Sequence, residues 1–158
     1  MNKLTRHVLL AAACATLMSS ACAQVSVTAP WVRATVAAQT TTGAYMHLMS
    51  VKGARLVGVR TPAAARAELH RMDMQGDMMK MRQVDGIDLP AGKAVNLASG
   101  SYHIMLVGLK RRLKEGETLD LTLDVLHANK QRASVTLKVP VKPMTFVSPA
   151  QGGTPMAH

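Results

Sequence analysis

Between Glu68 and Met81 this sequence gathers side chains suited to a soft metal ion: His70, Met72, Met74, Met78, Met79 and Met81. Gly76-Asp77 stands in the middle of the stretch, with glycine at the first position of a two-residue hairpin turn, where a positive φ is needed. With that turn, Met74 lies opposite Met79, Met72 opposite Met81, and His70 diagonal to Met81, while Arg71, Asp73, Lys80 and Arg82 share the other face. Opposed residues sit about 4.5–5.5 Å apart and diagonal ones about 7–8 Å, so His70 and Met81 can converge on one ion. A second pair, His103 and Met105, has the two-residue spacing that places both on one face of a strand, with Tyr102 and Ile104 on the other.

The donors set the chemistry. Thioether sulfur is soft and uncharged and a bound imidazole is neutral, a combination that suits Cu(I) better than zinc, calcium or magnesium. Such a site leaves the charge of the ion uncompensated, so it can surrender copper to a thiolate-bearing acceptor, which is the behaviour of a carrier. Taken singly, Met46, Met49, Met72, Met74, Met78 and Met79 read as packing residues, since methionine fills irregular gaps. His47 and His127 read as ordinary surface or hydrogen-bonded histidines.

Both cysteines, Cys14 and Cys22, fall in the first 23 residues. Lys3 and Arg6 precede an apolar run over 8–18, and Ala21-Cys22-Ala23 supplies small residues for cleavage before Gln24, the pattern of a secretory signal peptide. The alternative, lipid attachment at Cys22, lacks the large aliphatic residue such a signal places three positions upstream. Cleavage leaves no cysteine, ten methionines, five histidines and a formal charge of +8. A blue-copper electron-transfer site, which needs a thiolate, is thereby excluded. No later stretch approaches the roughly 20 apolar residues of a membrane span, so the exported protein is not expected to span a membrane.

The elements that must position these donors are strands. Period-two patterning runs over 25–27, 31–33, 44–51, 56–59, 67–74, 78–84, 94–97, 102–107, 119–126 and 133–141. Leu119, Leu121, Leu123 and Val125 alternate with Asp120, Thr122 and Asp124, as in a strand with one buried and one wet face. Turns such as Asp85-Gly86, Pro90-Ala91-Gly92 and Glu115-Gly116 separate them, and no sustained helical period appears. Many short strands with close turns indicate an all-β fold, an antiparallel sandwich or small barrel, over residues 24–142. The Gly/Pro-containing remainder, 143–158, reads as a flexible tail.

The 158 residues include 48% hydrophobic but only 3% aromatic ones, with 19 Lys+Arg against 9 Asp+Glu, a net charge of +10. That is one self-standing domain. The basic charge favours acidic partners or an anionic surface, but with few aromatic stacking platforms a nucleic-acid module built on exposed rings is not expected. No Ser/His/Asp set, paired carboxylate or Gly-rich phosphate loop is visible, so the sequence does not read as an enzyme.

The spacing His70, ten residues, Met81, twenty-one residues, His103, one residue, Met105 resembles the His-x10-Met-x21-His-x-Met motif of the periplasmic copper chaperone family PCu(A)C. The surrounding text is similar too: Ala29-Pro30-Trp31-Val32-Arg33, Glu68-Leu69-His70, Met79-Lys80-Met81-Arg82 and Tyr102-His103-Ile104-Met105-Leu106 before Gly108-Leu109-Lys110. Arg112 stands where many members are expected to carry proline. The resemblance, over about 25–141, implies a cupredoxin-like β-sandwich of Greek-key type and Cu(I) bound by His70, Met81, His103 and Met105. It also implies delivery to a copper-accepting protein, such as the copper subunit of a terminal oxidase during cytochrome oxidase assembly, or another copper chaperone. A monomer is expected.

Two further expectations come from the residues. Met144, Met156 and His158 suggest a weak auxiliary site in the tail able to take Cu(II). A reading from another class is a metal-free sandwich module that docks acidic partners through Lys110, Arg111, Arg112 and Lys114, a run that otherwise reads as a solvated turn.

Overall fold

The computed structural model describes residues 25–149. Ten strands lie among the described residues: β1 (Val25–Arg33), β2 (Thr41–Ser50), β3 (Ala54–Arg60), β4 (Ala64–Gln75), β5 (Met78–Gln83), β6 (Ile87–Leu89), β7 (Ala94–Leu97), β8 (Tyr102–Leu109), β9 (Thr118–His127) and β10 (Arg132–Lys142). They hydrogen-bond in the order β5-β4-β8-β7-β2-β1-β10-β9-β3-β6. The run folds over on itself at β10, so that Ala44, Met46, Leu48, Ile104 and Leu106 from one part and Leu56, Leu121, Leu123 and Val125 from the other bury into one cluster. This is the expected all-β sandwich.

Alternation in the sequence translates directly into β9, where Leu119, Leu121, Leu123 and Val125 are buried and the intervening residues half-exposed. The two short runs at the start are one strand. A register shift between Thr28 and Trp31, with Ala29 at φ 48°, accommodates Pro30 as a bulge, so β1 continues through a residue that cannot donate to a ladder. β6 has no counterpart among the expected strands. It spans three residues between Gly86 and Pro90, with Ile87 and Leu89 buried and Asp88 exposed, too short to show a period.

Most pairings are antiparallel, as expected. β1 and β10 instead run parallel, pairing Val32 with Val141 and Arg33 with Lys142. A parallel pair needs a long connection, and here nearly the whole domain lies between the two strands. Beyond β10 the chain keeps contact with the body: the Phe146 ring stands edge-on to Trp31 at 4.9 Å, and Ser148 is buried. The remainder of the expected tail, with Met156 and His158, lies outside the described residues, as do the signal segment and both cysteines.

Candidate metal centre

The hairpin forms in the anticipated register, Met72 opposite Met81 and Met74 opposite Met79. Gly76 has φ 61° and alone carries a positive φ in the two-residue turn, as a type II′ turn requires of its first position. β5 is an edge strand and exposed at every residue. Its outer face is tied by charge. Asp73 accepts from Arg71 at 3.0 Å and from Arg82 at 2.8 Å, so a single carboxylate bridges two guanidinium groups that the register sets opposite each other. Hydrogen bonding from Arg71, reinforced by the charge of Arg82, keeps the Asp73 carboxyl below its ordinary range.

On its other edge β4 pairs with β8, and this pairing assembles the site. His70 lies directly opposite His103, with ring centroids 5.8 Å apart. Met81 reaches across from β5, and its Sδ stands 3.2 Å from His103 Nε2. Met105, half-buried, occupies the next position of the same face along β8, opposite Glu68 of β4 and Gly43 of β2. The structure therefore brings His70, Met81 and His103 together and sets Met105 in the adjoining row. Leu69, Ile104 and Leu106, on the reverse face, are buried in the core and fix both strands.

The hydrogen bonds of the two imidazoles determine where their lone pairs lie. The Ser101 carbonyl can only accept, so His103 Nδ1 carries the proton and donates to it at 3.2 Å. His103 Nε2 is then a bare lone pair facing a thioether sulfur that likewise has no proton to give. Two electron-pair donors in contact without a hydrogen between them suit a cation that both can bind. Burial holds the His103 pKa below its ordinary value, only partly offset by the Ser101 bond and reinforced by neighbouring His70, so the ring stays neutral. His70 Nε2 meets the Glu68 carboxylate at 3.0 Å. Hydrogen bonds from His70 and then Arg66 keep Glu68 ionised below its usual range, so the carboxylate accepts and the ring donates. In the neutral ring His70 Nδ1 is then a bare lone pair, and it is buried and without a hydrogen-bond partner. An unmatched buried acceptor is costly in a stable fold, and a soft cation would satisfy it.

Each imidazole is thus fixed by an acceptor behind it, the arrangement that orients metal-binding histidines. Sequence reasoning had not assigned Glu68 this part, though its two-residue spacing from His70 on one strand was a readable signal. The Ser101 carbonyl gave none. Among the described residues no three of His, Cys, Asp and Glu are grouped to hold a metal, so a site built from nitrogen, oxygen and thiolate donors alone does not form there.

Comparison with known proteins agrees with this architecture. Residues 25–141 match the family described as "Putative lipoprotein LpqE-like". A protein of Leifsonia xyli subsp. xyli (strain CTCB07), "Putative lipoprotein Lxx21020", is 30% identical over 115 residues, 72% of this chain and 69% of that protein. The solution structure of CuI-DR1885 from Deinococcus radiodurans is similar at 32% identity and TM-score 0.57, covering 75% of this chain and 76% of the other. The copper-bound PCuAC domain from PmoF2 aligns over 76% of this chain and 93% of its own length with TM-score 0.63, and at 23% identity it bears on the fold alone. Matched over nearly all of its described length and sharing the sandwich of these domains, the chain belongs to the LpqE-like family of PCu(A)C-type proteins.

Proposed function

We propose that this protein is a copper carrier that binds Cu(I) through His70, Met81, His103 and Met105 and hands it to a copper-accepting protein in the periplasm. The observation that carries the reading is the 3.2 Å approach of Met81 Sδ to the unprotonated Nε2 of His103. The similarity at 32% identity to a structure named as the CuI form of its protein supports the same ion. Neutral donors retain Cu(I) without neutralising its charge, which favours transfer to an acceptor with anionic thiolates. A terminal oxidase copper subunit in assembly, or a further copper chaperone, has the chemistry such a donor requires.

Export fits the N-terminal 23 residues and a family described as lipoproteins. Among the described residues no helix is long and apolar enough to cross a membrane. Intact-mass measurement of the exported protein distinguishes cleavage before Gln24 from lipid attachment at Cys22. The tail from Met144 to His158 remains an auxiliary site in this reading, able to take Cu(II). Removing it should leave the tightly held Cu(I) in place.

The direct test is Cu(I) competition against a chelator under anaerobic conditions. The full protein should take one tightly held equivalent, and replacing His103 and Met105 together should abolish it. Unchanged stoichiometry and competition in that variant would show that copper binds elsewhere.

A further inference from the structure

Beyond the site just described, the β4–β5 ribbon carries thioether donors that the four-ligand set leaves unused. Met72 and Met81 oppose each other in the row nearest the histidines, and Met74 and Met79 oppose each other in the row nearest the turn. Residues two apart along a strand share a face about 6.6–6.8 Å apart, so all four side chains project from the face that holds His70. Along β4 exposure rises outward from the half-buried Met72. Met81 and Met79 are 51% and 50% exposed, and Met74 is 66% exposed at the ribbon's end.

Large apolar side chains in solvent are ordinary when scattered singly. Here they are concentrated: of the nine large hydrophobic residues exposed among those described, four are methionines on this one hairpin, and three of these, Met74, Met79 and Met81, lie on the His70 face. Folding does not require them. β5 contributes no residue to the core cluster, and the ribbon is held by its backbone ladder and by the Arg71–Asp73–Arg82 bridge on its opposite face. Nor does an edge strand call for methionine, since exposed edges are normally guarded by charge, as Lys80 and Arg82 do here.

We propose that Met74 and Met79 form a second, outer Cu(I) site on the tip of the hairpin, from which the ion passes by way of Met72 and Met81 to the histidines. The inference rests on the copper-carrier reading and adds its point of entry. Directly opposed side chains start about 4.5–5.5 Å apart, and the unbranched methionine stem has three rotatable bonds. Two sulfurs can therefore close on one linear or three-coordinate ion, with Met72 as a third donor. Without an imidazole or any anionic ligand the outer site is the weaker of the two, which gives the ion a downhill direction inward. Each move exchanges one thioether for the next, so the ion changes neither charge nor oxidation state and no proton is transferred.

The test is anaerobic titration of the full protein with Cu(I), followed by the methyl resonances of individually assigned methionines. The wild type should show two phases: the first equivalent shifts the Met81 and Met105 methyls, and the second shifts Met74 and Met79. The double variant Met74→Leu, Met79→Leu keeps shape and apolarity at exposed positions. It should retain the first equivalent, lose the hairpin phase, and load more slowly from a Cu(I)–chelator donor. If the first equivalent binds while the Met74 and Met79 methyls stay unmoved throughout, the outer site does not exist and the inner site stands. Failure of any Cu(I) to bind would overturn both. A second equivalent that shifts only Met144 and Met156 would place it in the tail and overturn the outer site.

Discussion

The β9–β10 and β4–β5 ribbons are both antiparallel hairpins with unbroken pairing, yet their side chains serve opposite ends. In β9, Leu119, Leu121, Leu123 and Val125 point into the core, while the wet face is closed by Lys138–Asp120 at 2.6 Å, Arg60–Asp124 at 2.7 Å and Thr122–Thr136 at 2.8 Å. β5 has equally apolar residues and buries none of them. The difference is a second layer: β9 lies under one, whereas β5 extends past the edge of the sandwich. Backbone pairing alone makes a ribbon, and cover decides whether its apolar side chains stabilise the fold or remain free for chemistry.

The comparison breaks if stability and metal binding prove to reside in the same ribbon. Leu121→Ala leaves a cavity in a fully buried position and should cost about 2–5 kcal/mol, read as a lower denaturant midpoint with Cu(I) stoichiometry unchanged. Met79→Leu should shift the same midpoint by no more than about 0.5 kcal/mol. Equal losses in the two variants would refute the division.

Glu68→Ala sharpens the boundary within the copper region, because it removes the acceptor behind His70 without touching a proposed ligand. Loss of such a partner typically weakens metal affinity about 10–100-fold. A chelator competition should show this drop with the fold intact by circular dichroism, and an unaltered affinity would mean that the sandwich alone orients His70.

Asp73→Asn tests what holds the exposed ribbon. Without the bridging charge, Arg71 and Arg82 confront each other across the strands, a like-charge pair that should cost about 0.2–1 kcal/mol. Amide exchange is the suitable probe: β5 should lose protection while β9 and β10 keep theirs. Uniform loss would show that the two ribbons unfold as one.

The smallest effect concerns acid. Hydrogen bonds from Arg60, then from Ser134, hold the Asp124 carboxyl below its ordinary range. The unfolded chain therefore takes up this proton at higher pH than the folded one. The contribution is complete above the unfolded value near about 3.9 and declines as pH falls from there through the lower folded value. Wild type should thus exceed Asp124→Asn in urea midpoint near about pH 6, with the gap narrowing towards about pH 3. A gap independent of pH would assign the effect to packing.

Alternation along 119–125 and the Gly76-Asp77 turn were legible in the sequence because period and turn chemistry are local. So was the soft-donor character of the site, and the long spacing of His70, Met81, His103 and Met105 pointed to the family. β6 was not legible, for three residues are too few to display a period, and the parallel β1–β10 pair depends on partners at opposite ends of the domain. The sequence put His70 with Met81 and His103 with Met105, two pairs each set by strand periodicity. Only the β4–β8 register laid His103 beside His70 and so brought the two pairs together, with Met81 against His103 as well. That register is a long-range choice, made where Leu69, Ile104 and Leu106 bury together in the core, and no local pattern encodes which strand will lie alongside.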